Sequence, residues 1–137
     1  MIKLHHIDHI VLRVQSLKPM LDFYQNILGC SIVRQRDDIG LYQLRAGTCM
    51  IDLVPVDKPI GQRGGAAPGK EGRNLDHFCF RVEPFNPESI QAFLAQEQVK
   101  FSPAEERFGA DGIGLSIYIS DPEDNVIELK GPPTGNN

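Results

Sequence analysis

The sequence is short of cysteine. It holds Cys30, Cys49 and Cys79, an odd number with no C-x-x-C spacing. That argues against a disulfide framework and for reduced core thiols in a cytoplasmic protein. No apolar run is long enough to span a bilayer, and no signal-peptide pattern follows Met1, so no membrane partner is expected. Basic charge is not in excess either: the net charge is −4, which argues against nucleic-acid binding by bulk electrostatics. What is there is ordinary for a globular chain: 137 residues, 41% hydrophobic and 23% charged, a length that suits one domain.

The informative feature is an internal repeat. Ile7 to Val14 reads IDHIVLRV and Leu75 to Val82 reads LDHFCFRV. In this alignment Asp8 meets Asp76, His9 meets His77 and Arg13 meets Arg81. A second echo follows, Met50 to Leu53 (MIDL) against Val126 to Leu129 (VIEL), which pairs Asp52 with Glu128. Each half of the chain therefore offers one early histidine and one late carboxylate. Halves of this size bury too little surface to stand comfortably alone, so they are expected to pack together as one domain.

Taken in order, His9 to Val14 alternates as a strand, with Ile10, Leu12 and Val14 on one face and His9, Val11 and Arg13 on the other. Ser16 is placed to cap a helix to about Leu28, with Pro19 in its first turn and Leu17, Met20, Leu21, Tyr24, Ile27 and Leu28 as its apolar stripe. Gly29 stops it. Strands are expected over Ser31–Arg36, Leu41–Arg45 and Cys49–Val54. Module one thus covers about residues 5–56. The glycine-rich stretch at 57–74 reads as a linker or as a mobile lid.

Module two, about 75–131, repeats the plan. Asn86 caps a helix with Pro87 at its first position and Ile90, Phe93 and Leu94 as its buried stripe. A short strand is expected near Val99–Phe101, an irregular stretch from Glu105 to Gly114, a strand over Leu115–Ser120 and a last strand over Asn125–Lys130. The tail from Gly131 is expected to fray. The fold class that follows is α+β: two βαβββ modules forming a curved mixed sheet around a metal cleft, with the helices on the outer face.

If each helix covers the face bearing Ile10, Leu12, Ile51 and Leu53, or Phe78, Phe80, Ile127 and Leu129, the opposite face carries His9, Asp52, His77 and Glu128. Two imidazoles and two carboxylates on strands suit a divalent metal, Zn, Ni, Co, Mn or Fe. A lone strand histidine is most often an ordinary half-buried polar group; equivalent pairs in a repeat are not. Asp8 and Asp76, on the opposite face by alternation, read as structural groups at strand starts. Arg13 and Arg81 share the histidine face and suit either an anionic substrate or a surface or dimer contact. Gly64 to Lys70 fits GxxxxGK, but Glu71 stands where a phosphate loop needs Ser or Thr, and no helix opens there.

The DH-apolar strand starts, the helix end Phe23-Tyr24 to Leu28-Gly29 and the closing Asp121-Pro122 to Leu129 resemble the vicinal oxygen chelate superfamily, which includes glyoxalase I, fosfomycin-resistance proteins, extradiol dioxygenases and bleomycin-binding proteins. The resemblance runs from His9 to about Lys130, and is nearest to small proteins of the glyoxalase domain-containing protein 5 type. It implies metal ligands at His9, Asp52, His77 and Glu128, and a homodimer in which one subunit gives His9 and Asp52 and the other His77 and Glu128. Asp52 departs from the glutamate of glyoxalase I by one methylene.

Three functions follow. The first is a metal-dependent lyase or isomerase of the lactoylglutathione lyase kind, acting on a small molecule with adjacent oxygens, with Glu128 or Asp52 as base. The second is a fosfomycin-resistance-type thiol or epoxide enzyme, or an Fe(II) dioxygenase, on His9, His77 and Glu128. In either, Arg13, Ser116 and Tyr118 are the candidates for meeting substrate. The third is a non-catalytic small-molecule binder.

Overall fold

The computed structural model describes residues 1–135. The chain divides into two compact units, Met1–Asn74 and Leu75–Asn137. Each carries one four-stranded mixed sheet and one helix, which is the expected α+β class with a βαβββ order in both.

Unit one runs β1 (His9–Val14), α1 (Leu17–Asn26), β2 (Ser31–Arg36), β3 (Leu41–Ala46) and β4 (Cys49–Pro55). The spatial order is β1-β4-β3-β2, with β1 parallel to β4. The register sets Ile10 beside Ile51, Val11 beside Asp52 and Leu12 beside Leu53, so the alternation of the two strands coincides. α1 packs against β2 and β4 and buries Met20, Phe23 and Tyr24 with Leu12, Leu44, Ile51 and Leu53. Phe23 belongs to this core although the expected stripe omitted it; Leu17, Leu21, Ile27 and Leu28 are only half-buried. Ser16 precedes the helix in an extended conformation without bonding its backbone. Gly29 leaves the helix at φ +71, and the Cys30 N–H reaches back to the Tyr24 carbonyl at 2.9 Å.

Unit two runs β5 (Phe78–Arg81), α2 (Pro87–Gln96), β6 (Glu105–Gly109), β7 (Gly112–Ser120) and β8 (Val126–Pro133), in the order β5-β8-β7-β6 with β5 parallel to β8. The Asn86 side chain accepts from the Ser89 N–H, as its position predicts. Leu94, Ile117, Ile119, Ile127 and Leu129 are buried, while Phe93, expected in the buried stripe of α2, is 40% exposed. Between β7 and β8, Asp121 Oδ1 accepts from the backbones of Glu123 and Asn125, and its Oδ2 accepts from the Asn125 amide at 2.8 Å. This tight turn sets where β8 begins, and so where Glu128 falls.

Three further expectations for this unit need correction. Phe101 makes one isolated bridge to Ile119 instead of a strand. The irregular stretch is in fact a hairpin: β6 pairs with β7 through a turn at Ala110-Asp111, and Gly112 supplies the positive φ of +108 that a tight reversal needs. The tail does not fray at Gly131, because β8 continues to Pro133 and the Thr134 N–H bonds the Ile113 carbonyl at 2.8 Å. Of the three free thiols, Cys30 alone is buried; Cys79 is exposed, not core.

Candidate functional site

In unit one the face opposite α1 carries His9, Val11 and Arg13 from β1, and Asp52 from β4. His9 lies at the strand start and its side chain is 48% exposed. Its Nδ1 is 2.7 Å from Asp8 Oδ1. An ionised carboxylate only accepts, so the proton sits on Nδ1 and the lone pair on Nε2. The Asp8 bond, with the charge of Asp52 adding to it against desolvation, raises the His9 pKa above its ordinary value. Asp52 is buried; Oδ2 accepts from the Gln43 amide at 3.3 Å, and Oδ1 has no partner. A buried carboxylate oxygen left without a donor or cation costs about 1–3 kcal/mol or more.

Unit two builds the counterpart more completely. His77 Nδ1 is 2.6 Å from Asp76 Oδ2, and its Nε2 is 3.3 Å from Glu128 Oε1. The Asp76 bond again raises the imidazole pKa, with Glu128 contributing. Glu128, buried on β8 beside Cys79 in register, accepts from the Ser116 hydroxyl at 2.6 Å on Oε2 and from the Tyr118 hydroxyl at 3.1 Å on Oε1. Burial alone works to raise this carboxyl. The Ser116 and Tyr118 hydrogen bonds and the charges of His77 and Lys130 outweigh it, and the carboxyl titrates below its ordinary range. The Tyr118 ring meets the His77 ring edge-on at 5.8 Å.

The structure thus brings His9 and Asp52 to one sheet face, and His77, Glu128, Ser116 and Tyr118 into one bonded cluster. It does not gather three ligand-type side chains into a single group among the described residues. Each unit holds an imidazole with an available Nε2 lone pair and a buried carboxylate, and donors of these kinds suit a divalent ion.

Three residues have roles that their sequence positions did not suggest. Asp8 and Asp76 orient the histidines, a role signalled only by the repeated Asp-His pair. Arg13, a candidate for an anionic substrate, engages the connecting loop: Nε donates to Gly61 O at 2.9 Å, Nη1 to Ala66 O at 3.0 Å and Nη2 to Gly65 O at 2.7 Å. Its backbone, on the free edge of β1, exchanges bonds with the Asn74 amide at 3.1 and 3.0 Å. Ser116, 1% exposed, directs its hydroxyl at Glu128. Cys79, exposed as a residue, lies on the site face, but desolvation of its sulfur and the neighbouring Glu128 push its thiol up to about 11, so it is neutral at ordinary pH and a weak nucleophile.

Residues 6–129 match the family model described as Glyoxalase/Bleomycin resistance protein/Dioxygenase superfamily. A virulence protein of Salmonella typhimurium is 30% identical over 125 residues, 90% of this chain and 81% of the relative. A crystal structure of that virulence protein superimposes with a TM-score of 0.78, covering 96% of this chain and 99% of that chain at 26% identity. A glyoxalase domain-containing protein of Mycosarcoma maydis is 31% identical over 125 residues, 90% of this chain and 66% of the relative. A fosfomycin resistance protein of Listeria monocytogenes shares the fold, with a TM-score of 0.68 at 17% identity over 96% of this chain and 97% of that chain.

Proposed function

The chain belongs to the glyoxalase/bleomycin resistance protein/dioxygenase superfamily, and on that premise we propose that it is a metal-dependent lyase or isomerase of the glyoxalase kind. Its substrate is a small molecule with adjacent oxygens. His9, Asp52, His77 and Glu128 hold one divalent ion per site, Ni, Co, Zn, Mn or Fe. The sites are shared in a homodimer, His9 and Asp52 from one protomer and His77 and Glu128 from the other. The protein works in the cytoplasm.

One observation, present twice, carries this reading. In each unit an aspartate fixes the Nδ1 of the next residue's imidazole, and a buried carboxylate lies on the same sheet face. Carboxylate–imidazole pairs of this kind are the usual support of a metal-ligating histidine. The unpartnered Oδ1 of Asp52 favours four ligands over the three-ligand alternative, because that oxygen has no other source of compensation.

The bound ion supplies Lewis acidity toward the substrate's oxygens. The chain's own residues do the rest. Glu128, or Asp52, takes the proton from the carbon beside the carbonyl and returns it to the neighbouring carbon. Ser116 and Tyr118 hold Glu128 ionised and aimed. The His77 ring, pinned by Asp76, presents Nε2 on the same side.

The test is solvent exchange. Purified protein, with its metal content measured, is incubated in deuterium oxide with the methylglyoxal–glutathione hemithioacetal. Enzymatic formation of the thioester, lost in Glu128→Gln and in Asp52→Asn, supports the reading. Metal-loaded protein that neither turns over nor exchanges this substrate or a panel of 2-hydroxycarbonyl compounds would overturn it.

A further inference from the structure

Unit two contains a cavity of about 240 Å³ whose lining includes Cys79, Arg81, Phe108, Gly109, Glu128 and Lys130. Two of these are cations, and they differ in kind. Arg81 is already neutralised: its guanidinium pairs with Asp111, and with Glu83 at 3.3 Å. Lys130 is 8% exposed, and among the described residues its ammonium bonds no carboxylate. It donates to two backbone carbonyls, those of Arg107 and of Gly114, the latter at 3.3 Å. An ammonium has three N–H donors, so one is left.

Lys130 follows Glu128 by two positions on β8, so both side chains rise from the same face, and both line the cavity. Room for the lysine is built in. A Cβ on Gly109 would stand 2.7 Å from Lys130 Cε and 3.1 Å from Cδ. The carboxylate of Glu128 faces this ammonium electrostatically without bonding it; its bonded partners are neutral carbonyls, and the natural complement of its remaining donor is an anion.

We propose that Lys130 is the anion-binding residue of this cavity, and that the substrate carries a carboxylate or phosphate-class oxyanion placed there while its reacting carbon faces Glu128. The assignment rests on the functional reading above for the role of Glu128. It adds the substrate class: a small acid with adjacent oxygens at the other end. Phe108 and Pro133 give the cavity an apolar wall that suits a short carbon skeleton.

Isothermal calorimetry tests it, with inorganic phosphate and acetate as probes at constant ionic strength, on protein of known metal content. The wild type is expected to bind at least one probe saturably. Lys130→Met is expected to weaken that binding about tenfold or more, as loss of a charge-assisted bond implies. Gly109→Ala, which displaces the ammonium without removing it, is expected to weaken it also, and decides the matter if Lys130→Met does not fold. Preference for phosphate or for acetate identifies the oxyanion. No saturable binding of either probe by the wild type would overturn the proposal, as would unchanged affinity in a folded Lys130→Met or, where that variant does not fold, in Gly109→Ala. Elemental analysis of the same samples separates the two ideas. Oxyanion binding that depends on Lys130 in a metal-free protein would keep this inference and sink the metal reading. Bound metal without oxyanion binding would do the reverse.

Discussion

Asp76 Oδ2 lies 2.6 Å from Nδ1 of His77, and the same relation recurs between Asp8 and His9 at 2.7 Å. Each carboxylate fixes which ring nitrogen carries the proton; in the proposed site Nε2 is then the ligand atom. Asp76→Ala and Asp8→Ala are therefore expected to weaken divalent-metal affinity by about tenfold to hundredfold with the fold retained. Competition with a chelator, beside circular dichroism, reads both quantities. Unchanged affinity would make these pairs incidental.

Ser116→Ala removes the 2.6 Å bond to a buried carboxylate. The expected loss of stability is about 1–3 kcal/mol, read by urea unfolding. The Glu128 carboxyl is expected to move up from its lowered position, because one of the two hydroxyl bonds that hold it down is gone. A stability change near zero would mean that Glu128 finds another donor.

The Tyr42 hydroxyl donates to Asp37 Oδ1 at 2.6 Å, and that bond, with burial, pushes it up to about 12. An unfolded tyrosine titrates near about 10. The folded value is the higher one, so the contribution is complete below the unfolded value and disappears as pH rises toward the folded one. Tyr42→Phe is expected to cost about 1 kcal/mol at neutral pH. The gap between wild type and variant should close as unfolding is followed from pH 9 to about pH 12. A gap that widens with pH would contradict the assignment.

Arg13→Ala strips three bonds from the carbonyls of Gly61, Gly65 and Ala66. Amide hydrogen exchange in residues 60–68 is expected to accelerate by about tenfold or more, with β4 unaffected. Gly61 packs against the Pro55 carbonyl with no room for a Cβ, so this segment has a specific seat to lose. Equal exchange in both proteins would mean that the glycine turns hold the loop without the arginine.

How much of this was legible in the sequence depends on the signal each residue leaves. His9, Asp52, His77 and Glu128 stood out because duplication repeats them and strand alternation assigns their face. Asp8 and Asp76 did not, because alternation sends neighbouring residues to opposite faces, while a short side chain at a strand start reaches back to the adjacent ring. Strand β6 was hidden for another reason. Glu105 to Phe108 are all exposed, so no apolar alternation marks them, and only pairing with β7 makes them a strand. The Asp111-Gly112 dipeptide, at the end of the Ala110-Asp111 turn, was the one cue available. Lys130 was visible as a residue but not as a buried one, since its burial depends on the absent Gly109 side chain.

His77 and its counterparts are proposed to hold a metal. Protein purified without a histidine tag, analysed for bound metal beside His77→Ala with circular dichroism on both, tests it most directly. About one equivalent of a divalent ion per chain is expected in the wild type, lost in a folded variant. No metal in the wild type, even after soaking in excess Ni, Co, Zn, Mn or Fe, would contradict it.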